Sequence, residues 1–213
     1  MMTFTAFFKR WLAEISAGAL AAMISLCASS TAVAEASQPA ITVDRLHSAL
    51  LEVMKNADTL GFEGRKERLA PVITESFDLA FISRVILGRQ WDELSRDEHA
   101  QMIDTFTRLT ITTYAARFDG FSGESFRTVE EKAMTRGRAL VRTELVRPAD
   151  EAIHLDYVLH QSEGRWRIVN VVAEGVSDLS LKRADYGSVI NHDGFKTLMQ
   201  KLEGQIDDLE NGA

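Results

Sequence analysis

The chain has 213 residues, of which 24 are lysine or arginine and 31 are aspartate or glutamate, giving a net charge of −7. Its basic residues are interspersed with acidic ones, so the surface lacks the positive field that attracts nucleic acid. This charge pattern argues against nucleic-acid binding as the main function. A chain of this length is long enough to bury a core of its own.

Residues 1–34 have the pattern of a secretory signal peptide. A positively charged start precedes a 14-residue apolar run at residues 15–28, and residues 32–34 form an Ala-x-Ala cleavage site. At about 1.5 Å per residue the run spans roughly 21 Å, short of the ~30 Å hydrocarbon core that an anchor must cross. We therefore expect export to the periplasm and cleavage after Ala34, leaving residues 35–213 as one mature domain.

An uncleaved membrane anchor is the alternative, and Trp11 and Glu14 favour it because they blur the start of the apolar run. Cys27 does not match a lipoprotein site, since Leu26 precedes it where lipid attachment needs a small residue. Cleavage would remove Cys27, the only cysteine, so no disulfide would stabilise the mature protein. Residues 35–213 contain 22 basic and 30 acidic residues, a net charge of −8, and no apolar run of membrane-spanning length.

Helical periodicity dominates the first half of the mature chain. Apolar residues recur at helical spacing over residues 42–60 and again over residues 65–77. Pro71 lies inside the second segment and predicts a late start or a bend there. Asp78 is a candidate N-cap for a short third helix, which Gly88 ends.

The clearest helix start is the capping box Ser95-Arg96-Asp97-Glu98. The helix that follows is predicted to extend to about Phe118, with Gly120 and Gly123 in the loop after it. Beyond Ser125 the hydrophobic period changes from that of a helix to that of strands.

Four strands are then predicted, at residues 126–134, 138–147, 153–160 and 165–173. In the third strand four apolar residues alternate with more polar ones, which is typical of a half-buried antiparallel strand. These apolar residues are Ile153, Leu155, Tyr157 and Leu159. Two helices close the chain. The order of helices, meander and helices predicts an α+β fold with helices over one face of an antiparallel sheet.

Several separated blocks resemble one family. Leu87-Gly88-Arg89-Gln90-Trp91, the capping box and long helix after it, and the segment 164–202 resemble the MlaC family, also called the toluene-tolerance family. Its members are periplasmic phospholipid-binding components of an ABC lipid-transport system. Residues 114–121, Tyr-Ala-Ala-Arg-Phe-Asp-Gly-Phe, are more similar to the hopanoid-associated HpnM branch. Gln90 stands where the family has an aromatic residue, and Asn170 stands where it has an acid.

The resemblance covers roughly residues 65–205 and implies an NTF2-like curved antiparallel sheet, covered by N-terminal and C-terminal helices, with acyl chains buried between them. It implies a phospholipid or a hopanoid as cargo. It also implies exchange with an inner-membrane ABC/MCE-type lipid-transport complex and with an outer-membrane lipoprotein. We expect a monomer that needs no cofactor, because the bound lipid is cargo.

Apolar residues on the strands and helices are the predicted lining of such a cavity. The strand residues are Val141, Leu145, Leu155, Tyr157, Trp166, Ile168 and Val172, and the helix residues are Phe81, Val85, Phe106, Leu109, Tyr114 and Phe118. The alternative is that these side chains are ordinary core. Basic residues that flank the matching block either meet a lipid phosphate or an acidic partner or are simply solvated. They are Arg165, Arg167, Lys182 and Arg183.

The sequence offers little support for an enzyme. Residues 120–124, Gly-Phe-Ser-Gly-Glu, differ from the hydrolase nucleophile elbow in the last position, and we interpret them as a loop. His154 and His160 share a strand face, but six residues at ~3.3 Å place them about 20 Å apart, too far to share a metal ion. Glu174 and Gly175 indicate a turn at a strand end. We expect no catalytic residue and no metal site.

Three hypotheses follow from these observations. The first is a periplasmic lipid carrier that performs no chemistry. The second is a scaffold or adaptor of an envelope complex, in which the apolar faces form a closed core. The third, an enzyme acting on lipids, requires a nucleophile and a base assembled from Ser122, Glu174 or the histidines.

Overall fold

The computed structural model describes residues 38–212, which form five α-helices and a five-stranded sheet. The elements in chain order are α1 (Gln38–Lys55), α2 (Ala57–Ser76), α3 (Leu79–Leu87), a 3-10 helix (Gly88–Glu93), α4 (Arg96–Arg117), β1 (Ser125–Met134), a 3-10 turn (Thr135–Gly137), β2 (Arg138–Arg147), β3 (Asp150–Ser162), β4 (Arg165–Ala173), β5 (Val176–Ser177) and α5 (Asp178–Asn211). The predicted signal peptide, its predicted cleavage after Ala34 and Cys27 lie outside the described residues. No helix within residues 38–212 is long and apolar enough to cross a membrane.

The predicted helix boundaries rest on side chains that satisfy free backbone groups. The Asp78 carboxylate accepts a hydrogen bond from the Phe81 N–H and begins α3, which ends at Gly88 with φ 58°. Ser95 and Glu98 form the predicted capping box at the start of α4. These bonds satisfy N–H groups that have no partner inside the helix, so the cap residues fix where each helix begins.

The helices also differ from their predicted ranges. Helix α2 begins at Ala57, before the predicted residue 65, and continues through Pro71; its break is at Gly61, with φ 58° and ψ −174°. The two closing helices are the two halves of α5, which Gly194 divides with φ 81° and ψ 172°. Both breaks are at glycines because the left-handed φ that interrupts the helix is accessible to a residue without Cβ. The 3-10 helix and β5 were not predicted, since each is too short to show a hydrophobic period.

The sheet is a meander in which every strand pairs antiparallel with the next, in the order β1-β2-β3-β4-β5. The α+β fold class and the four long predicted strands are confirmed. The sheet is curved and does not close, as expected where extra residues interrupt the register in β1, β3 and β4. Beyond the end of β5, Phe77 and Asp78 cover the β4 edge, where the Asp78 N–H donates to the Ile168 carbonyl at 3.0 Å.

A bulge in β4 changes which side chains face the helices. Leu159 pairs with Ile168 but the preceding Val158 pairs with Asn170, so Val169 is an extra residue in the strand. Because side chains alternate along a strand, one extra residue moves every later side chain to the other face. We call the face that carries Tyr157 the helix-facing side and the opposite face the outer side.

The core lies between the helix-facing side of the sheet and the helices. Tyr157, Leu159 and Ile168 are 2% exposed or less and belong to the same buried cluster as side chains from all five helices. The alternation in β3 predicts that Ile153, Leu155, Tyr157 and Leu159 face the helices. Tyr157 and Leu159 belong to this cluster and Leu155 packs against it, whereas Ile153 is buried on the same face outside the cluster.

Strand β1 forms one edge of the sheet and is exposed along nearly all of its length. Its register with β2 shifts between Thr128 and Glu130, so Val129 is unpaired in the ladder and 55% exposed. The sheet therefore ends in a bulged strand with charged side chains.

We predict that Asp78→Asn destabilises the protein more at neutral pH than in acid. Burial raises the pKa of the Asp78 carboxyl, but hydrogen bonds from the Phe81 N–H, His160 and Ser162 outweigh it and lower the pKa below its ordinary value. A carboxyl with a lowered pKa stabilises the fold above its unfolded pKa of about 3.9, and this stabilisation is lost as the pH falls through the folded pKa. Asparagine keeps the helix cap, so the loss at pH 7 should be about 1–2 kcal/mol.

Urea unfolding at pH 7 and at pH 3 measures this difference. The gap between the Asp78→Asn variant and the parent protein should shrink at the lower pH. Asp104→Asn is the control, because Asp104 is exposed and has no ion pair within residues 38–212. A gap that is the same at both pH values would contradict the prediction.

Candidate functional site

Helix α1 is fixed to the helix-facing side of the sheet by a buried polar contact. His47 Nε2 lies 3.0 Å from the Tyr157 hydroxyl, and the His47 ring stacks on Phe126 with ring centroids 3.8 Å apart. Burial lowers the pKa of His47 to about 3, so its imidazole is neutral at physiological pH. Near the β3–β4 turn the Thr42 hydroxyl donates to the Trp166 carbonyl at 3.1 Å. This part of the interface is closed.

The end of α4 contributes half-buried aromatic rings to the same side. Tyr114 packs edge-on against Phe77 at 5.8 Å between ring centroids and stacks on Phe118 at 5.7 Å. Buried Arg65 donates from Nε to the Ala115 carbonyl at 2.9 Å, which ties α2 to the last turn of α4. An arginine at the C-terminal end of a helix also complements its dipole. The aromatic rings are therefore held in place while part of their surface remains accessible.

Charged side chains lie next to Tyr114. Asp178, the first residue of α5, forms an ion pair with Lys182. Burial raises the pKa of the Tyr114 phenol, and the Asp178 carboxylate raises it further. Burial lowers the pKa of Arg117, and Asp178 partly offsets this effect. Arg117, Asp178 and Lys182 therefore form a charged cluster at the point where α4 ends and α5 begins.

Ten of the thirteen predicted lining residues face this interface; nine of them belong to the core cluster or pack against it, and Leu145 is buried on the same face of the sheet outside that cluster. Six of them are at most 8% exposed: Phe106, Leu109, Val141, Leu145, Tyr157 and Ile168. The other four, Tyr114, Phe118, Leu155 and Trp166, are half-buried and pack against the core. Only half-buried side chains present surface that a ligand can reach without displacing packed neighbours. The lining itself stays a prediction.

The remaining three predicted residues lie elsewhere. Val172 pairs with Asp156 and not with Tyr157, so the β4 bulge places it on the outer side of the sheet. The Phe81 ring lies 4.6 Å from that of His160, which also faces the outer side. Val85 is half-buried on α3 and, like Phe81 and Val172, is not among the described residues packed into the core cluster.

The structure adds residues that the sequence patterns did not single out. Val171 takes the place predicted for Val172, because it pairs with Tyr157. His47 contacts Tyr157 from α1, and Asp178 approaches Tyr114 from α5. Ser177 followed by Asp178 is a sequence pattern typical of a helix start, and Ser177 is the N-cap of α5. The proximity of Asp178 to Tyr114 on α4 is a tertiary contact, which the sequence pattern does not predict.

The groups considered for chemistry have structural partners. Glu174, in the predicted strand-end turn, has φ 49° and lies 3.2 Å from His154 Nδ1. Asp156 pairs with Arg142 at 3.4 Å rather than with His154. Within residues 38–212 no group of three or more His, Cys, Asp or Glu side chains is arranged to hold a metal ion.

Two open depressions of about 510 and 580 Å³ also mark the surface of the described chain. The first lies between α4 and the second half of α5, and the second lies between the 3-10 helix and the first half of α5. Neither is lined by any of the thirteen predicted residues. Because the predicted lining residues lie outside both depressions, we take the half-buried surface at the end of α4 as the candidate site.

An α+β protein with an apolar interface between a curved sheet and helices, bordered by charge, has the architecture of the family that the sequence resembles. The family model for MlaC protein matches residues 44–204. The chain therefore belongs to the MlaC family.

A solved structure has the same fold. The phospholipid-binding protein from Ralstonia solanacearum, determined in complex with a phospholipid, aligns with a TM-score of 0.73 and 19% sequence identity. The alignment covers 82% of this chain and 99% of the Ralstonia protein. No curated protein sequence matches the chain.

We predict that Tyr157→Phe destabilises the protein by about 1–3 kcal/mol. The substitution removes the hydroxyl and leaves the buried imidazole of His47 without this partner, which costs the desolvation of an unpaired polar group. Replacing both residues, as His47→Leu with Tyr157→Phe, should cost less than the sum of the single changes. Chemical unfolding of the four proteins of this double-mutant cycle measures the coupling. Strictly additive losses would mean that the bond does not hold α1 to the sheet.

Proposed function

We propose that the protein is a periplasmic lipid carrier that holds the acyl chains of a phospholipid between the end of α4 and the helix-facing side of the sheet. The proposal rests on an apolar surface that has charged side chains next to it. Tyr114, Phe118 and Leu155 are half-buried and form the apolar part. The charged cluster of Arg117, Asp178 and Lys182 lies next to Tyr114. An apolar surface that ends in charge matches a molecule with acyl chains and a polar headgroup.

The apolar part of this surface can supply the binding energy. Each buried methylene contributes about 0.8 kcal/mol, so ten methylenes contribute about 8 kcal/mol before the costs of association. Aromatic rings suit this role because they present large apolar faces with few rotatable bonds. No chemistry on the lipid is needed, so the carrier has no catalytic residue.

The charged cluster supplies a polar end. Arg117 and Lys182 provide N–H donors suited to a phosphate, and Asp178 now neutralises Lys182. In the proposed complex a headgroup phosphate accepts hydrogen bonds from Arg117 and Lys182 and replaces part of the pairing between Lys182 and Asp178. Among the basic residues of the segment 164–202 considered above, Lys182 belongs to the charged cluster. Arg165 instead pairs with Glu163, and Arg167 donates to the Thr74 carbonyl.

We favour phospholipid over hopanoid as cargo. The Ralstonia protein of the same fold was solved with a phospholipid, whereas the argument for hopanoid rests on the similarity of residues 114–121 to the HpnM branch. As in the family, the carrier would exchange its cargo with an inner-membrane ABC/MCE-type complex and an outer-membrane lipoprotein. Residues 1–34 would act as the leader that brings it to the periplasm.

Lipid extraction and native mass spectrometry test the proposal. The protein is purified from its native envelope, and a second sample is delipidated, refolded and offered a mixture of phospholipids and hopanoids. We expect a complex with one phospholipid in both samples. A hopanoid bound in both samples would mean that the cargo is a hopanoid. Lipid-free protein in both samples would favour the scaffold alternative.

Leu155→Trp should lower bound-lipid occupancy while the thermal stability of the lipid-free protein changes little. Leu155 is half-buried, so a larger ring can occupy space that the acyl chain would use. In a closed core the same change would cost about 1–3 kcal/mol through overpacking. Native mass spectrometry gives the occupancy and calorimetry of the delipidated protein gives the stability.

Val172→Trp is the matched control, because Val172 is a half-buried residue of similar type on the outer side of the sheet. It should leave lipid occupancy unchanged. If Leu155→Trp instead destabilises the lipid-free protein strongly and leaves its lipid content as before, this face is core and the cavity is misplaced.

A further inference from the structure

The turn between β1 and β2 carries cations that nothing in the described chain neutralises. Lys132, Arg136 and Arg138 are exposed, and their side chains make no ion pair, hydrogen bond or ring contact with residues 38–212. By contrast Arg127 and Arg142, on the same two strands, each pair with a glutamate. The turn therefore concentrates positive charge in a chain whose predicted mature part has a net charge of −8.

Apolar side chains are exposed at the same end of the sheet. Met134, the last residue of β1, is 41% exposed, and Ile41, in the first turn of α1, is 45% exposed. The Ala40 N–H donates to the Glu131 carboxylate at 3.0 Å, which places that turn of α1 beside the end of β1. Exposed apolar side chains among unpaired cations are the combination that binds the interface of an anionic bilayer.

The backbone of the turn gives no reason for an arginine at its centre. Arg136 has φ 61° and ψ 37°, and Gly137 follows with φ 65°. Residues with a Cβ are disfavoured in this left-handed region, where glycine or asparagine is usual. The fold would thus be at least as stable with glycine at position 136, so the cation has to be explained by something other than folding.

We propose that the tip of this hairpin, formed by Lys132, Met134, Arg136 and Arg138, docks the protein on an anionic bilayer surface. The cations would lie among the lipid phosphates while Met134 enters the interface. The net negative charge of the rest of the chain is repelled by the same surface, so the tip faces the membrane. An acidic protein partner is the alternative occupant, which the binding test below distinguishes.

At this end of the sheet the unpaired positive charge is confined to the β1–β2 turn. At the same end of the sheet, Glu163 in the β3–β4 turn lies 3.7 Å from Arg165, so these two charges offset each other. The docking surface is therefore limited to one hairpin. Binding through so few groups is weak and reversible, and it weakens further as salt screens the charges.

Co-sedimentation with vesicles tests the proposal on the purified protein. Vesicles of phosphatidylcholine mixed with phosphatidylglycerol should bind the protein at low salt, and vesicles of phosphatidylcholine alone should not. Arg136→Gly should weaken binding about fivefold, since each cation near an anionic surface contributes on this scale. Its thermal stability should stay the same or rise, because glycine suits the left-handed backbone. A loss of binding through unfolding is thus distinguished from a loss of the docking group.

Charge reversal gives the stronger effect and a matched control. The triple change Lys132→Glu, Arg136→Glu and Arg138→Glu should abolish vesicle binding. The control triple Arg84→Glu, Arg89→Glu and Arg183→Glu reverses the same number of charges on exposed side chains of α3, the 3-10 helix and α5. These arginines also have no ion pair within residues 38–212. The control should retain most of the binding.

Three results would overturn the proposal: equal binding to both kinds of vesicle, equal binding by the Arg136→Gly variant and the parent protein, or equal losses in the two triple variants. Binding to a polyglutamate peptide without binding to anionic vesicles would assign the tip to an acidic protein instead. Native mass spectrometry of each variant reports its lipid content separately, so failure of docking is distinguishable from failure of the carrier function.

Discussion

One extra residue in β4 determines which side chains of that strand face the helices. Without the bulge at Val169, Val172 would share the face of Ile168, and the helix-facing side would present a different row of side chains at the end of the strand. With the bulge, Val171 and Ala173 lie beside Tyr157 and Leu155. The strand bends at the same point, as bulged strands do. The bulge therefore determines which β4 side chains lie beside Leu155, a residue of the candidate site.

The sequence was sufficient wherever local chemistry decides the structure. Asp78, Ser95 and Glu98 marked helix starts because an oxygen must satisfy free N–H groups there. The alternation in β3 identified its buried face. The β4 bulge was not readable, because Ile168, Val169, Val171 and Val172 are all β-branched and fit either face. The charged cluster was not readable either, since its members are distant in sequence and only tertiary packing brings Asp178 to Arg117.

The interface between sheet and helices combines two kinds of packing. Around His47 and Tyr157 it is closed, and a buried hydrogen bond requires both partners to stay in place. Around Tyr114, Phe118 and Leu155 it is half-buried, and contacts there are mainly apolar and non-directional. A polar contact fixes the relative position of α1 and the sheet, whereas the apolar region could bind and release the proposed lipid without breaking a hydrogen bond. A binding protein needs both properties.

The irregularity of the edge strand β1 affects how readily two molecules associate at high protein concentration. A regular edge strand offers a row of unpaired N–H and C=O groups to any other strand, which is a common route to aggregation. In β1 the unpaired Val129 interrupts that row, and the exposed Lys132 places on the edge a charged side chain, which pairing with another strand would have to accommodate. The irregularity that exposes an apolar side chain therefore also protects the protein from joining its sheet to that of a neighbour.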